Sequence, residues 1–161
     1  KGGKTSQFYD INGNGEVAVG SYAATPNDVR ALVWIKPRGS RDLAAVLAKF
    51  NITPPANVVL RAARFVSTDG TRIVGFAQDN AGGVYLYRAT IPQSEVCYCN
   101  CDGSTGPDYL DAADLLCFQQ RLAAKQFYTN ADNSTDDNGK PTYNASDMAI
   151  FMQRFEAGCP D

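Results

Sequence analysis

The sequence predicts a mixed α+β fold of two modules: an antiparallel β-repeat module over residues 1–91 and a small, disulfide-stapled loop-helix module over residues 97–161. Three observations predict this division. The charge changes sign, because residues 1–90 hold 11 Lys+Arg against 6 Asp+Glu, whereas residues 91–161 hold 4 against 11. All 5 cysteines lie in the acidic part. Each part also contains its own internal repeat.

Composition excludes several classes of protein. With 161 residues, 44% of them hydrophobic, the chain is large enough to bury a core. It contains no histidine, which removes Ser-His-Asp and Cys-His catalysis and histidine-ligated zinc. No apolar run approaches the roughly 18 residues of a membrane-spanning helix. We therefore expect a non-catalytic protein with no transmembrane segment and no nucleic-acid partner.

The first module repeats at a spacing of 55 residues. Residues 11–20 and 66–75 each predict strand, tight turn and strand, because glycine stands in the turn and apolar residues alternate after it. A further apolar stretch after each hairpin predicts another strand, at residues 31–35 and 84–87. Between the copies, residues 41–50 have apolar positions at helical spacing, and we expect Pro54 and Pro55 to end that helix.

Charged and aromatic side chains of this module allow two interpretations each. Four arginines alternate with apolar residues, at Arg61, Arg64, Arg72 and Arg88. We interpret them as the solvated side of the strands, with a basic binding face as the alternative. For three aromatic residues, packing within the sheets is favoured over stacking on a sugar; these are Trp34, Tyr85 and Tyr87.

The motif VSTDGTRIVG at residues 66–75, with ALVWIKPRGSRDL at residues 31–43, resembles the bacterial extracellular HAF repeats. The resemblance covers residues 9–90 and implies antiparallel sheets like the blades of a propeller. About one and a half units are present, whereas a closed propeller needs at least about four blades. The resemblance thus implies an incomplete array with an exposed edge strand. The start at Lys1, inside a repeat, is interpreted as part of a longer protein.

The second module contains a duplicated loop and helix. NCDGST at residues 100–105 recurs as NADNST at residues 130–135, and LDAADLLCFQQRLAA at residues 110–124 recurs as YNASDMAIFMQRFEA at residues 143–157. We call the loops that begin at Asn100 and Asn130 loop one and loop two. Each predicted helix has one apolar face, formed by Leu115, Phe118 and Leu122 in the first and by Met148, Phe151 and Phe155 in the second.

Oxygen-bearing side chains are spaced around each loop and end in an aspartate near the start of the helix, as a calcium ion requires. The candidate ligands of loop one are Asp102, Ser104, Asp111 and Asp114, with Asp108 and the Tyr109 carbonyl as further candidates. Those of loop two are Asp132, Ser134, Asp136, Asn144, Asp147 and the Thr142 carbonyl. The duplication favours two bound Ca²⁺ ions. The alternative is that the aspartates cap helices and form turns without a metal.

The cysteines predict disulfides in this module. Cys101 and Cys117 are both replaced in the second copy, and joint loss indicates a bonded pair. We expect Cys159 to bond either Cys97 or Cys99, which leaves one thiol over from an odd number. A zinc site at the three closely spaced cysteines is disfavoured, because too few further ligands exist. Disulfides indicate an oxidising, extracytoplasmic compartment.

The NCDGST loop, the D-x-x-D motif at residues 111–114, their duplicate and the terminal AGCP at residues 157–160 resemble the GC-type dockerin-like domain of secreted proteins, notably from planctomycete bacteria. The resemblance covers residues 97–160. It implies an EF-hand-like pair of calcium loops that docks to a protein partner or anchors the chain to a cell-surface component. The expected location is extracellular or at the bacterial cell surface.

Three functions are consistent with these patterns. The preferred one is a non-catalytic extracellular protein in which a calcium-stabilised docking or anchoring module follows a β-repeat array. The first alternative is a self-assembling structural subunit of a filament or surface layer, joined through an exposed β edge or the odd thiol. The second alternative is the C-terminal accessory part of a larger secreted enzyme.

Overall fold

The structure, a computed structural model, describes residues 5–36, 38–104, 110–126 and 129–158. Within these ranges the protein is mixed α+β, with two antiparallel sheets and four helices. The chain divides into two compact units, Lys1–Pro92 and Gln93–Asp161. Both sheets lie in the first unit, and three of the four helices lie in the second.

The strands of the first unit are β1 Ser6–Ile11, β2 Val17–Thr25, β3 Asp28–Ile35, β4 Gly39–Asp42, β5 Val58–Val66, β6 Arg72–Asp79 and β7 Val84–Thr90. The helices are α1 Leu43–Ala48 in the first unit and α2 Gln93–Val96, α3 Ala112–Ala123 and α4 Ala145–Ala157 in the second. Sheet A has the order β1-β2-β3-β4, and sheet B has the order β5-β6-β7. Among the described residues, no helix has the length and apolar character needed to cross a membrane.

The two predicted hairpins are built alike. In the first, Asn12 donates its backbone N–H to the Val17 carbonyl and accepts the Val17 N–H at its Oδ1, both at 2.9 Å. In the second, Ser67 donates to the Arg72 carbonyl and accepts the Arg72 N–H at its Oγ, also at 2.9 Å. A glycine with positive φ lies three residues after each of these polar side chains. Residues 55 positions apart thus make the same contacts.

Gly20 and Gly75, also 55 positions apart, let a neighbouring strand approach closely. A Cβ at Gly20 would lie 1.9 Å from the Gln7 carbonyl oxygen, and one at Gly75 would lie 2.0 Å from the Ala62 carbonyl oxygen. The strands that approach, β1 and β5, are both bulged nearby. Only glycine fits these two positions of the sheets.

Sheet B packs against one side of sheet A through β5, which lies next to β1, β2 and β3. Asp10 Oδ2 accepts the Val66 N–H at 2.9 Å, and a Cβ at Gly70 would lie 2.8 Å from Val17 Cγ2. The side chains on this covered side of sheet A are almost fully buried; they are Val17, Val19, Ala31, Val33 and Ile35. These residues form the apolar core of the first unit.

Two arginines at the bulges of β5 contact sheet A. Arg61 Nη1 donates to Asp28 Oδ1 at 2.9 Å and to the Val29 carbonyl at 3.1 Å. The guanidinium carbon of Arg64 lies 4.0 Å from the ring centroid of Tyr9, a cation-π contact. The expectation that all four arginines face only solvent is therefore wrong for these two, because each bulge turns its side chain toward the neighbouring sheet.

Helix α1 is shorter than the predicted helix over residues 41–50. It begins after Asp42, whose Oδ1 accepts the Ala45 N–H at 3.1 Å, and it ends at Ala48. Asn51 adopts a left-handed conformation with φ 59°, so the helix stops before the chain reaches Pro54. The prediction that prolines end the helix is therefore wrong, because a left-handed residue ends it first.

The second unit has an aromatic core. Phe118 of α3 and Phe151 of α4 are fully buried and stack with ring centroids 3.9 Å apart. Tyr98 packs against both rings at 6.4 and 6.2 Å. The other residues of the two predicted apolar faces are partly buried around this cluster: Leu115, Leu122, Met148 and Phe155. The predicted apolar faces of the two helices are thus confirmed.

Candidate cation-binding loops of the acidic unit

Each loop of the second unit is joined to its helix by a buried aspartate. Asp114 accepts the N–H of Asp111 at Oδ2 at 3.0 Å, and Asp147 accepts the N–H of Asn144 at Oδ2 at 2.8 Å. Both aspartates are third residues of their helices, and their partners are the helix N-caps. Each pair forms a reciprocal capping box, which satisfies N–H groups that the first turn leaves without helical partners.

The same two aspartates also reach back to the beginning of their loops. Asp114 Oδ1 accepts the Asp102 N–H at 3.1 Å. Asp147 Oδ1 accepts the N–H groups of Ala131 at 2.7 Å and Asp132 at 3.3 Å. Both side chains are fully buried. Asp114 and Asp147 therefore act as helix caps, which is the role that the alternative interpretation gives them.

Burial and hydrogen bonding shift the pKa values of two carboxyl groups in opposite directions. Burial raises the pKa of Asp114, against the opposing effect of the backbone N–H groups that it accepts. The nearby charge of Asp102 acts in the same direction as burial. The pKa of Asp132 is lowered, because the Ser134 backbone N–H and hydroxyl both bond its carboxylate. A buried carboxylate beside a second carboxylate favours either a proton or a cation.

An asparagine begins each loop, and the ligand sets predicted from the sequence omit it. Asn100 is fully buried; its Nδ2 donates to the Ser104 carbonyl at 2.7 Å, and its Oδ1 accepts the Gly103 N–H at 2.9 Å. Asn130 is 5% exposed, and its Nδ2 donates to the Ser134 carbonyl at 2.9 Å. Asn130 Oδ1, in contrast, is buried with no hydrogen-bond partner among the described residues. The sequence signal for both residues was their place at the head of NCDGST and NADNST.

The remaining predicted ligands within the described residues fall into three groups. Asp102 and Asp132 take equivalent positions, since each Oδ1 accepts the N–H two residues later at 2.9 Å. The hydroxyl groups of Ser134 and Thr142 are hydrogen-bonded to each other. Asp136 closes a turn by accepting N–H groups from Asn138 and Lys140, both at 2.9 Å. Asp108 and Tyr109 lie outside the described residues.

The two loops differ in how well they fit a calcium ion. Within the described part of the chain, no three Asp, Glu, Cys or His side chains are grouped as ligands of one metal ion. Calcium also takes amide, hydroxyl and carbonyl oxygens, and loop two offers the buried Oδ1 of Asn130 beside the backbone that Asp147 holds. Loop one offers less, because Asn100 Oδ1 already accepts the Gly103 N–H. Loop two is the better candidate.

The predicted disulfide between Cys101 and Cys117 is present, with Cα atoms 5.9 Å apart. It joins loop one to α3. Cys97 is also disulfide-bonded, whereas Cys99 is a buried thiol whose Sγ lies 4.0 Å from the Phe151 carbonyl oxygen. Cys159, the expected partner of Cys97 or Cys99, lies outside the described residues.

A cavity of about 450 Å³ lies beside β7 in the first unit. Leu47, Pro54 and two tyrosines are among the residues that line it. The Tyr85 hydroxyl donates to Asp79 Oδ2 at 2.6 Å, and the Tyr87 hydroxyl donates to the Ala62 carbonyl at 3.1 Å. Burial raises the pKa of Tyr87. Both hydroxyl groups are thus bonded within sheet B, and the Tyr85 side chain is 50% exposed.

Comparison with known proteins yields no match for this chain among protein-family models, curated proteins or solved structures. The resemblances to HAF repeats and to dockerin-like domains therefore stay predictions.

Proposed function

We propose that the acidic unit is a calcium-stabilised docking or anchoring module, joined to the β-sheet unit of a non-catalytic extracellular protein. The observation that carries the proposal is Asn130 Oδ1, a buried acceptor with no hydrogen-bond partner among the described residues. It lies at the head of loop two, next in sequence to Ala131, whose N–H bonds the buried carboxylate of Asp147. Such an oxygen is a natural ligand for a hard cation.

The free-energy cost of the buried polar and charged groups in loop two favours the binding of a cation. A buried acceptor without a donor costs about 1–3 kcal/mol. A buried carboxylate, Asp147, and the carboxylate of Asp132 add negative charge, which a divalent ion neutralises. Asn130, Asp132, Ser134 and Asp147 are the residues that would hold the ion. When bound, calcium supplies the positive charge that ties the head of the loop to the start of α4.

The disulfides support an extracellular location. The bond between Cys101 and Cys117, together with a bonded Cys97, is typical of proteins in oxidising compartments. The unit is small, and its core is a cluster around three aromatic rings. Staples of this kind are what small domains use when apolar burial alone is insufficient. The partner in this proposal is a protein or a component of the cell surface.

Thermal unfolding with and without calcium tests the proposal. We expect calcium, added after treatment with a chelator, to raise the melting temperature of the helical signal in far-ultraviolet circular dichroism, because the ion binds only the folded loops. Magnesium should raise it less, since it requires a stricter geometry and keeps its water. An unchanged melt in calcium would contradict the proposal.

A pair of matched asparagine variants locates the ion. Asn130→Ala should reduce the calcium-induced rise in melting temperature, because it removes the buried oxygen of loop two. Asn138→Ala removes the same amide from the exposed turn of the same loop and keeps the backbone bond to Asp136, so its calcium response should equal that of the wild type. Equal responses from the two variants would exclude Asn130 as a ligand.

A further inference from the structure

One side of sheet B is apolar and exposed. Five side chains share it and are between 36% and 73% exposed: Phe65, Val74, Phe76, Val84 and Leu86. Val74 pairs with Phe65 on β5, and Phe76 pairs with Leu86 on β7, so the apolar surface is continuous across all three strands. We call it the exposed side of sheet B. Contiguous apolar surface of this kind marks an interaction site.

The 55-residue repeat indicates what kind of surface covers it. Val74 corresponds to Val19, and Leu86 corresponds to Ala31. Val19 and Ala31 are 0% and 1% exposed, because they lie on the side of sheet A that sheet B covers. The same side of the repeat is thus buried by another sheet in one copy and open in the other, within the described residues. The matching occupant is a further sheet.

Sheet A also has exposed apolar side chains on its other side, at its edge strand β1. Phe8 and Ile11 lie there, 46% and 56% exposed, opposite Gly20 and Ala18. We call this the outer side of sheet A. In the repeat, Ala18 corresponds to Ile73 of sheet B, a fully buried residue on the side of sheet B opposite its exposed side. The outer side of sheet A is therefore equivalent to the surface that already packs against a sheet within the chain.

We propose that copies of this chain associate head to tail, with the exposed side of sheet B in one copy packed against the outer side of sheet A in the next. This contact repeats the internal contact between the two sheets and so continues an interface that the fold already contains. Charge disfavours the symmetric alternative, because Arg72 and Arg88 lie on the exposed side of sheet B and would face their own copies. On the outer side of sheet A, Arg30 lies next to an acidic partner, Asp42, whose Oδ2 is 4.0 Å from Arg30 Nη1.

A head-to-tail contact does not close on itself in a dimer, so it leads to rings or extended assemblies. The proposal concerns the first unit and does not depend on calcium in the second. In this arrangement the copies associate through the faces of their sheets.

Sedimentation velocity of the full chain across a range of concentrations tests the proposal. The wild type should form species larger than a dimer as concentration rises. Leu86→Glu and Ile11→Glu should each lower the association constant by about tenfold or more, because each places a charge in an apolar contact. Leu116→Glu, at a leucine of α3 that is 55% exposed, is the matched control and should associate like the wild type.

Mixing the two variants distinguishes this arrangement from a symmetric one. Each variant keeps one intact surface, so an equimolar mixture of Leu86→Glu and Ile11→Glu should form a one-to-one dimer and nothing larger. A monomeric wild type would overturn the proposal. Dimers in Ile11→Glu alone that disappear in Leu86→Glu would also overturn it, because they would show that sheet B packs on its own copy.

Discussion

Asp69 holds the turn between β5 and β6 with one carboxylate. Its Oδ1 accepts the Ser67 hydroxyl and, at 3.0 Å, the Thr71 N–H. The hydrogen bond from Ser67 is the largest reason why the pKa of Asp69 lies below its ordinary value of 3.8, and the Thr71 N–H is the next. The ionised form is thus bound more strongly in the folded protein than in the unfolded chain.

This shift predicts how acid affects the first unit. A lowered folded-state pKa means that Asp69 stabilises the unit fully above about pH 3.8 and that this contribution is lost as the pH falls through the lowered pKa. Asp69→Asn keeps an acceptor but does not titrate, so the stability of this variant should fall less on acidification. The difference should be below about 1 kcal/mol, because the group is half-buried and partly screened by solvent. Urea unfolding followed by Trp34 fluorescence, the single tryptophan, measures it. Parallel pH curves for the two proteins would refute the role of Asp69.

The structural roles of single residues differ in how far they can be predicted from the sequence. The duplication singled out Asp114 and Asp147, but not that they accept N–H groups from both ends of a loop, because that depends on how the loop folds back. Asn130 was not among the ligands predicted from the sequence, because a repeated asparagine at the head of a loop does not by itself indicate a metal site. Its importance follows from burial without a donor, which only a three-dimensional structure shows.

At the scale of strands, two glycines set the distance between neighbours. Gly20 and Gly75 occupy equivalent positions, and each leaves less than the space of one Cβ before a carbonyl oxygen of the adjacent bulged strand. The contacting atoms are backbone, which cannot rotate away as a side chain does. A methyl group at either position must therefore displace a strand.

Alanine at these glycines should destabilise the first unit more than alanine at a turn glycine. We expect Gly20→Ala and Gly75→Ala each to lower the free energy of unfolding by about 3 kcal/mol. Gly15→Ala meets no atom within 4 Å but has a φ of 73°, so its cost should be about 1 kcal/mol. Urea unfolding measured by Trp34 fluorescence compares the three. Equal losses at Gly15 and Gly75 would show that the sheet absorbs the extra methyl group.

Elements with strong periodicity were predictable, and short or irregular ones were not. The hairpins and the helical faces around Phe118 and Phe151 follow from alternation and from helical spacing, which burial enforces. Strand β4 has only 4 residues, and the sequence GSRD has no alternation to identify it. The bulges of β5 were equally invisible, because a bulge is an extra residue in a pairing register that a single strand does not reveal.

At the scale of the whole chain, charge and cysteine content predicted a division near residue 91. The structure divides into compact units at Pro92 and Gln93. Each unit has its own buried cluster, aliphatic around Val19 and Val33 in the first and aromatic around Phe118 in the second. The composition changes at the boundary because the two clusters are stabilised differently, the first by apolar burial and the second by burial together with disulfides.

The second loop and helix show which side chains can replace the disulfide with little change in packing. Ala131 and Ile150 occupy the positions of Cys101 and Cys117 in the duplicate, so the double variant Cys101→Ala, Cys117→Ile gives the first copy the side chains of the second. Because the bond closes a loop with a sequence separation of 16, its loss should cost the acidic unit about 3 kcal/mol on the chain-entropy model. Far-ultraviolet circular dichroism reports chiefly α3 and α4, whereas Trp34 fluorescence reports the first unit. We expect the helical transition to shift to lower denaturant and the Trp34 transition to stay in place. A shift of equal size in both signals would show that the two units unfold as one.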